Sequence, residues 1–267
     1  MLSRMLQLLS LIPRHPSEAY ERIHTMIALR WQTTGNRIPT YEFSTPAEAL
    51  THLGEALHDD LHARLQEAEL AVIEQTVRKA QETLPDSAPF RRINDGDFLL
   101  ARLCYLVTRA VCPSTVIETG VCYGVTSAFV LQALQTNGKG YLHSIDLPPL
   151  GKNGDKFVGR FVPSDLRKRW VLHRGTSTSH LSPLLQKVGP PGVFIHDSLH
   201  TYANMRYEFD TIWPSLEPYG VVISDDIQGN AAFLELTAQE SVARSVVMQE
   251  ERKDSLFGVV AKGAPCP

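Results

Sequence analysis

Two apolar segments of strand length each end abruptly in acidic residues. Val-Phe-Ile-His, from position 193, runs into Asp197 and His200, and Val-Val-Ile-Ser, from position 221, runs into Asp225 and Asp226. Buried runs of this length, separated by a helical segment, are typical of neighbouring strands in a parallel sheet, which binds ligands at its carboxyl edge. We therefore expect these four side chains to lie together at that edge.

The convergence of three carboxylates has two interpretations. Carboxylates repel one another, so Asp197, Asp225 and Asp226 would be stabilised by a hard cation such as Mg²⁺, with His200 beside it as a base. In the other interpretation, Asp197 caps the following helix, and Asp225 and Asp226 lie in a solvated turn. These two segments alone favour neither.

A glycine-containing turn upstream favours a ligand site. Residues 115–119 predict a buried strand, and a turn with Gly120 and Gly124 then leads into an apolar helix, so the backbone could approach a ligand at the helix N-terminus. The spacing is G-x-x-x-G, because Cys122 stands where the dinucleotide fingerprint has its middle glycine. Glu118 would also repel a phosphate. The turn therefore favours a cationic ligand group over a pyrophosphate.

The next two predicted strands also end in polar residues. Gly140-Tyr-Leu-His-Ser-Ile ends in Asp146, about 20 residues after the glycines, where an α/β nucleotide site places the acceptor for a ribose hydroxyl. A lone aspartate at a strand end is more often a cap or turn residue, but in this order we favour ribose binding. The third strand, from Trp170, ends in Thr176 and Ser177.

The ordered set of motifs resembles the class I S-adenosylmethionine-dependent methyltransferases. More narrowly, it is similar to the metal-dependent O-methyltransferases of the macrocin and catechol type, over about residues 93–263. Catechol-type members end the fifth strand in Asp-Asn, whereas this chain has Asp-Asp, which matches the macrocin pattern better. The residues that carry the resemblance are Glu118-Thr-Gly120-x-x-x-Gly124, Asp146, Asp197-x-x-His200-x-Tyr202 and Asp225-Asp226.

The resemblance implies a site and a fold. Glu118, Gly120 and Gly124 would flank the methionine part of S-adenosylmethionine, Asp146 would bind its ribose, and the strand end at 176–177 would contact the adenine side. The fold would be an α/β, Rossmann-like class I methyltransferase sheet that is mostly parallel, with an antiparallel last strand. Segments 245–249 and 256–261 have the hairpin pattern that this strand requires.

The implied chemistry is transfer of a methyl group to a hydroxyl of a small molecule or sugar. Asp197 and Asp225 would hold a divalent metal, with Mg²⁺ as the expected ion, and whether Asp226 also ligates it stays open. His200 would take the hydroxyl proton or would only orient the metal site, and we favour the role of base. Two alternatives remain: a metal-independent methyltransferase, and a protein that keeps the fold without turnover.

The first part of the chain predicts helices. We divide the chain into an N-terminal helical extension, residues 1–90, and a methyltransferase domain, residues 91–267. Helices are expected over 17–30 and, from Pro46, over a long stretch to about Thr83, whose leucine-rich face needs a partner in this chain or in a second subunit. His58 and His62 share a helix face there, but no third ligand is nearby, so we interpret that face as solvated.

Composition excludes some partners. The formal net charge is −3 and no basic run stands out, so we do not expect a nucleic-acid substrate. The four cysteines show no C-x-x-C spacing, which is typical of reduced thiols in a cytoplasmic protein. Residues 1–13 lack a sustained apolar stretch and a cleavage site, so we expect neither secretion nor a transmembrane segment.

Overall fold

The computed structural model describes residues 8–9, 11–13, 15–30, 38–85, 88–90, 96–151, 154–251 and 254–264. Residues 28–30 are described by their backbone alone. Within these ranges, no helix is both long and apolar enough to cross a membrane. Cys104 and Cys112 are free thiols, as expected, and Cys266 lies outside the described residues.

The predicted strands form one seven-stranded sheet. Its order is β3-β2-β1-β4-β5-β7-β6, in which the first five strands are parallel neighbours and β7 is antiparallel to both β5 and β6. The expected mostly parallel sheet with an antiparallel last strand is confirmed. The strands are β1 Thr115–Thr119, β2 Tyr141–Asp146, β3 Trp170–Arg174, β4 Val193–His196, β5 Val221–Ser224, β6 Val242–Gln249 and β7 Leu256–Lys262.

Helices cover both faces of the sheet. One face packs against α2, α4, α5 and α6 through residues such as Leu53, Ile73 and Phe129, and the other packs against α8, α9 and α10 through residues such as Phe209 and Phe233. The described helices are α1 Pro16–Arg30, α2 Pro46–Leu57, α3 Leu61–Arg64, α4 Ala68–Glu82, α5 Phe98–Val111, α6 Val125–Asn137, α7 Gly154–Phe157, α8 Ser177–Val188, α9 Tyr202–Ile212 and α10 Ala232–Thr237.

The long helix expected from Pro46 to about Thr83 is divided into α2, α3 and α4. It begins as predicted, because Thr45 and Glu48 form a reciprocal capping box. It ends at His58, which has a left-handed backbone with φ 55°, and the side chain of Asp60 then caps α3 by accepting from the amide of Ala63. The prediction of one continuous helix was therefore wrong, because the left-handed backbone of His58 ends α2 and the side chain of Asp60 begins α3.

The leucine-rich face of this region packs onto the sheet domain of the same chain. Leu53, Leu61 and Ile73 are almost fully buried and belong to the same core as Val116 of β1. His62 contacts the hydroxyl of Thr51, with 3.0 Å between Nε2 and Oγ1. The division at residue 90 and a homo-oligomer through the N-terminal helices stay predictions.

Candidate active site

The register of the sheet brings the expected acidic residues to one edge. Thr119 at the end of β1 pairs with His196 at the end of β4, and His196 pairs with Ser224 at the end of β5. The next residue in each strand therefore starts a loop at the same level. These three loops begin with Gly120, Asp197 and Asp225.

Asp197, His200 and Asp225 form a compact cluster. One ligating atom of each lies within 4.8 Å of those of the other two, and among the described residues this is the only such group of three or more. Asp225 is buried, at 6% exposure, whereas the side chains of Asp197 and His200 are about a quarter exposed, at 28% and 26%. The cluster is thus buried on the side of Asp225 and partly exposed to solvent on the side of Asp197 and His200.

Asp226 lies on another side of the histidine. Its Oδ2 is 3.3 Å from Nδ1 of His200, whereas Nε2 of His200 is 3.8 Å from Oδ1 of Asp197. Asp226 has a left-handed backbone with φ 49°, which turns the chain immediately after Asp225. A proton on Nδ1 would be held by Asp226, and the lone pair of Nε2 would then face the cluster. Whether Asp226 could also ligate a cation stays a prediction.

The turn after β1 is shaped by contacts within the chain. A Cβ on Gly120, which has φ 85°, would overlap the carbonyl oxygen of Asp197. A Cβ on Gly124, also at φ 85°, would lie 2.7 Å from the Cα of Gly159, in the excursion that follows β2. Both glycines are thus required for close packing of loops. Their contact with a donor molecule stays a prediction.

Asp146 supports the same turn. Its Oδ2 accepts hydrogen bonds from the amides of Val121 and Cys122, at 2.9 and 3.0 Å. Burial raises the pKa of Asp146, and the two amide bonds oppose that shift. The aspartate therefore lies between β2 and the glycine turn, where ribose binding is expected but not tested.

Glu118 lies below the turn, in the protein interior. It is 1% exposed, and its Oε2 accepts from the hydroxyls of Ser127 and Ser144, at 2.7 and 2.6 Å. Burial raises the pKa of Glu118 to about 7, against the opposing effect of the two hydroxyls. Its predicted role toward a donor would therefore be electrostatic, exerted from beneath the loop.

Thr176 and Ser177 lie where β3 leads into α8. Thr176 is the N-cap residue of α8, and its amide donates to the carboxylate of Glu21 in α1 at 3.1 Å. Arg22 of the same helix donates to the carbonyl of Pro148, at 2.6 Å. Helix α1 therefore lies beside the strand end expected to contact adenine, and that contact stays a prediction.

Helix α9 carries a buried carboxylate that was not expected from the sequence. Glu208 is 0% exposed, and its Oε2 lies 2.6 Å from Nδ1 of His196, which is also fully buried. The buried imidazole of His196 therefore has a structural partner inside the protein. The sequence did contain a signal for this burial, because Glu208 lies three residues after Met205 and four before Ile212, on the apolar face of the helix.

Comparisons with known proteins agree with the fold. Residues 117–227 match a family model described as a methyltransferase domain. No curated protein matches the chain.

Solved structures are similar over most of the chain. A putative O-methyltransferase from Klebsiella pneumoniae is 14% identical with a TM-score of 0.51, covering 81% of this chain and 97% of its own. An O-methyltransferase from Bacillus cereus in complex with SAH is 14% identical with a TM-score of 0.51, covering 80% and 97%. An SAH-bound methyltransferase from Podospora anserina is 11% identical with a TM-score of 0.50, covering 85% and 99%.

The strand order, with β7 antiparallel, and the matched residues 117–227 together show the Rossmann-like fold of the class I S-adenosylmethionine-dependent methyltransferases. Two of the solved structures that share this fold are O-methyltransferases by their descriptions.

Proposed function

We propose that this protein transfers a methyl group from S-adenosylmethionine to a hydroxyl of a small molecule or sugar, with a divalent metal at the Asp197 cluster. The observation that carries the proposal is the position of that cluster directly against the glycine turn. The α-carbon of Gly120 packs on the carbonyl of Asp197. Residues suited to holding a donor and residues suited to activating a hydroxyl are thus on adjoining loops.

The donor side rests on two acids. S-adenosylmethionine supplies a methyl group bound to a cationic sulfonium, and it also carries an ammonium group. Glu118 and Asp146 would favour these cationic and hydroxyl-bearing parts through charge and hydrogen bonding. Thr176 and Ser177 would contact the adenine side, at the loop that α1 covers.

The cluster has donor atoms that suit a hard divalent cation. The carboxylates of Asp197 and Asp225 converge within 4.8 Å beside the imidazole of His200, and Asp225 is buried where an ionised carboxylate benefits most from a counter-charge. Asp197 and Asp225 would be the oxygen ligands. A cation such as Mg²⁺ would lower the pKa of an acceptor hydroxyl as a Lewis acid.

His200 is the proposed general base. Asp226 would keep the proton on Nδ1, so that Nε2 presents its lone pair to the acceptor. The hydroxyl proton would pass to Nε2 as the methyl carbon bonds to the hydroxyl oxygen. The bond between that carbon and the sulfonium would break at the same time, and the sulfur would become a neutral thioether. Most of the rate enhancement would come from holding the two reactants in line.

The experiment is a methyl-transfer assay with labelled donor on sugar-bearing and catechol acceptors, with and without a chelator. Chelation should abolish activity, and added Mg²⁺ should restore it. Asp197→Asn should weaken metal binding with little effect on donor affinity, and His200→Ala should lower kcat by about 10² to 10⁴ while metal binding persists. Asp210→Asn, an exposed carboxylate paired with Arg206, is the matched control.

The two alternatives give different results. Full activity in excess chelator, with no metal in the purified protein, would establish the metal-independent enzyme. Donor binding without product over the whole acceptor panel would favour a protein that keeps the fold without turnover. A loss of metal binding in His200→Ala would make the histidine a ligand and would remove it as the base.

A further inference from the structure

Glu208 is an acceptor for four side chains at the carboxyl edge of the sheet. Its Oε2 accepts hydrogen bonds from the hydroxyl of Thr119, at 2.7 Å, and from Nδ1 of His196, at 2.6 Å. Its Oε1 receives the hydroxyl of Ser198 at 2.8 Å and the amide of Asn204 at 3.0 Å. Both carboxylate oxygens are thus engaged in a fully buried position.

These donors belong to the segments that carry the proposed reaction. Thr119 immediately precedes Gly120 of the donor turn, His196 precedes Asp197, and Ser198 lies between Asp197 and His200 in the chain. One carboxylate therefore links the end of β1 to the loop after β4.

Asn204 extends the same network. Its side-chain amide also donates to the hydroxyl of Ser198 and to the carbonyl of Leu199, each at 3.1 Å. Its carbonyl oxygen accepts from the hydroxyl of Ser177, at 3.1 Å. The network thus also reaches the loop after β3, at the start of α8.

The charge of Glu208 makes these bonds strong. Burial would raise the pKa of Glu208, but His196 and the hydroxyl donors outweigh that effect and hold it well below its usual range. Hydrogen bonds to an ionised acceptor are about twice as strong as neutral ones. A buried ionic group adds little to stability compared with an apolar side chain of similar size. The position on an apolar helix face therefore suggests a role in positioning.

We propose that Glu208 is a positioning residue that fixes the loop of residues 197–201 against the end of β1, and so holds the metal and base residues in register with the donor turn. This inference rests on the proposed function. Loss of the carboxylate would free Ser198 and its neighbours, and Asp197 and His200 would no longer keep a fixed separation. The glycine turn after β1 would keep its own support, the two amide hydrogen bonds to Asp146.

The test is Glu208→Gln in the full-length protein. The amide keeps the size but turns an NH₂ group toward two of the four donors. Amide hydrogen exchange in the peptide spanning 197–204 should rise at least tenfold, with β1 and β4 unchanged. Mn²⁺ affinity should fall by about 10- to 100-fold, as expected when a residue that supports metal ligands is lost. The kcat should fall by about 10²-fold, while the donor Kd stays within about threefold.

Two further variants separate positioning from simple destabilisation. Ser198→Ala removes one donor to Glu208 and keeps the carboxylate buried, so it serves if Glu208→Gln does not fold, and exchange in 197–204 should again rise. Glu67→Gln breaks a similar network far from the site, in which Tyr105 and Arg109 donate to Glu67. It should lower the unfolding midpoint without changing exchange in 197–204 or Mn²⁺ affinity.

The outcomes are distinct. Wild-type exchange and Mn²⁺ affinity in Glu208→Gln, or in Ser198→Ala if the first variant does not fold, would overturn the positioning role. If amide exchange in 197–204 rose as much in Glu67→Gln as in Glu208→Gln, Glu208 would contribute only to the overall stability of the fold. If the wild-type protein binds no metal and transfers no methyl group, the proposed function fails, and exchange in 197–204 alone decides whether Glu208 fixes the loop.

Discussion

The buried carboxyl of Glu118 should make the stability of the protein fall as pH rises through neutrality. Burial raises the pKa of Glu118 from 4.5 to about 7. The folded protein therefore binds this proton more tightly than the unfolded chain does. The resulting stabilisation is fully present below pH 4.5 and is lost as pH rises through about 7.

The size of the effect follows from the two pKa values. At about 1.4 kcal/mol for each tenfold change in proton affinity, a change from 4.5 to about 7 is worth about 3 kcal/mol. Glu118→Gln resembles the neutral acid and can keep hydrogen bonds with Ser127 and Ser144. The unfolding free energy of Glu118→Gln should therefore rise relative to wild type by about 3 kcal/mol between pH 4.5 and 8.

Urea unfolding at half-unit pH steps from 4.5 to 8 measures this difference. Glu67→Gln is the control, because bonds from Arg109, Tyr105 and Arg64 outweigh burial and lower the pKa of Glu67 to about 2. Its difference from wild type should change by less than about 0.5 kcal/mol over the same window, because Glu67 is ionised in the folded protein throughout and is half protonated in the unfolded chain only at the acidic end. Parallel stability curves for wild type and Glu118→Gln would refute the elevated pKa.

Two further predictions concern packing. Gly120→Ala should lower the unfolding free energy by more than about 2 kcal/mol, because the new Cβ would overlap the carbonyl of Asp197, whereas Gly138→Ala, also left-handed but with open space around it, should lose only about 1 kcal/mol in the same urea assay. Deletion of residues 1–83 should give an insoluble protein, because it removes buried Leu53 and Ile73 from the core, whereas deletion of 1–30 should leave a cooperatively folding one. A soluble 84–267 fragment with a sharp thermal transition would contradict the second prediction.

The acidic cluster was predictable from the sequence because the same local pattern, an apolar run followed directly by an acid, occurs in two neighbouring strands. Short apolar runs define the strands, parallel strands share a carboxyl edge, and an acid placed directly after each run must reach that edge. Asp197 and Asp225 satisfy all three conditions, His200 follows Asp197 in the same loop, and the structure brings the three side chains together. The position of Asp226 did not follow from the pattern, because its left-handed backbone turns it toward Nδ1 of His200.

What could not be predicted depends on contacts between distant segments. The close neighbours of Gly120 and Gly124 come from the loops at Asp197 and Gly159, so their packing role has no local signature. Glu208 was not expected from the sequence to be buried, although it lies with Met205 and Ile212 on the buried face of α9. A buried glutamate on such a face is itself evidence of a nearby set of donors, since an unpaired charge there would be too costly.

The elevated pKa of Glu118 also predicts how donor binding depends on pH. Under the proposed function, the donor brings two positive charges above a carboxyl that is about half protonated at pH 7. Because a nearby cation lowers the pKa of a carboxyl, binding should release up to about 0.5 proton at pH 7. Calorimetry of S-adenosylmethionine binding in phosphate and in Tris, whose protonation enthalpies differ, measures this number directly. Glu118→Gln should bind S-adenosylmethionine with the same heat in both buffers. Equal heats for the wild-type protein would mean that the bound donor does not change the pKa of Glu118.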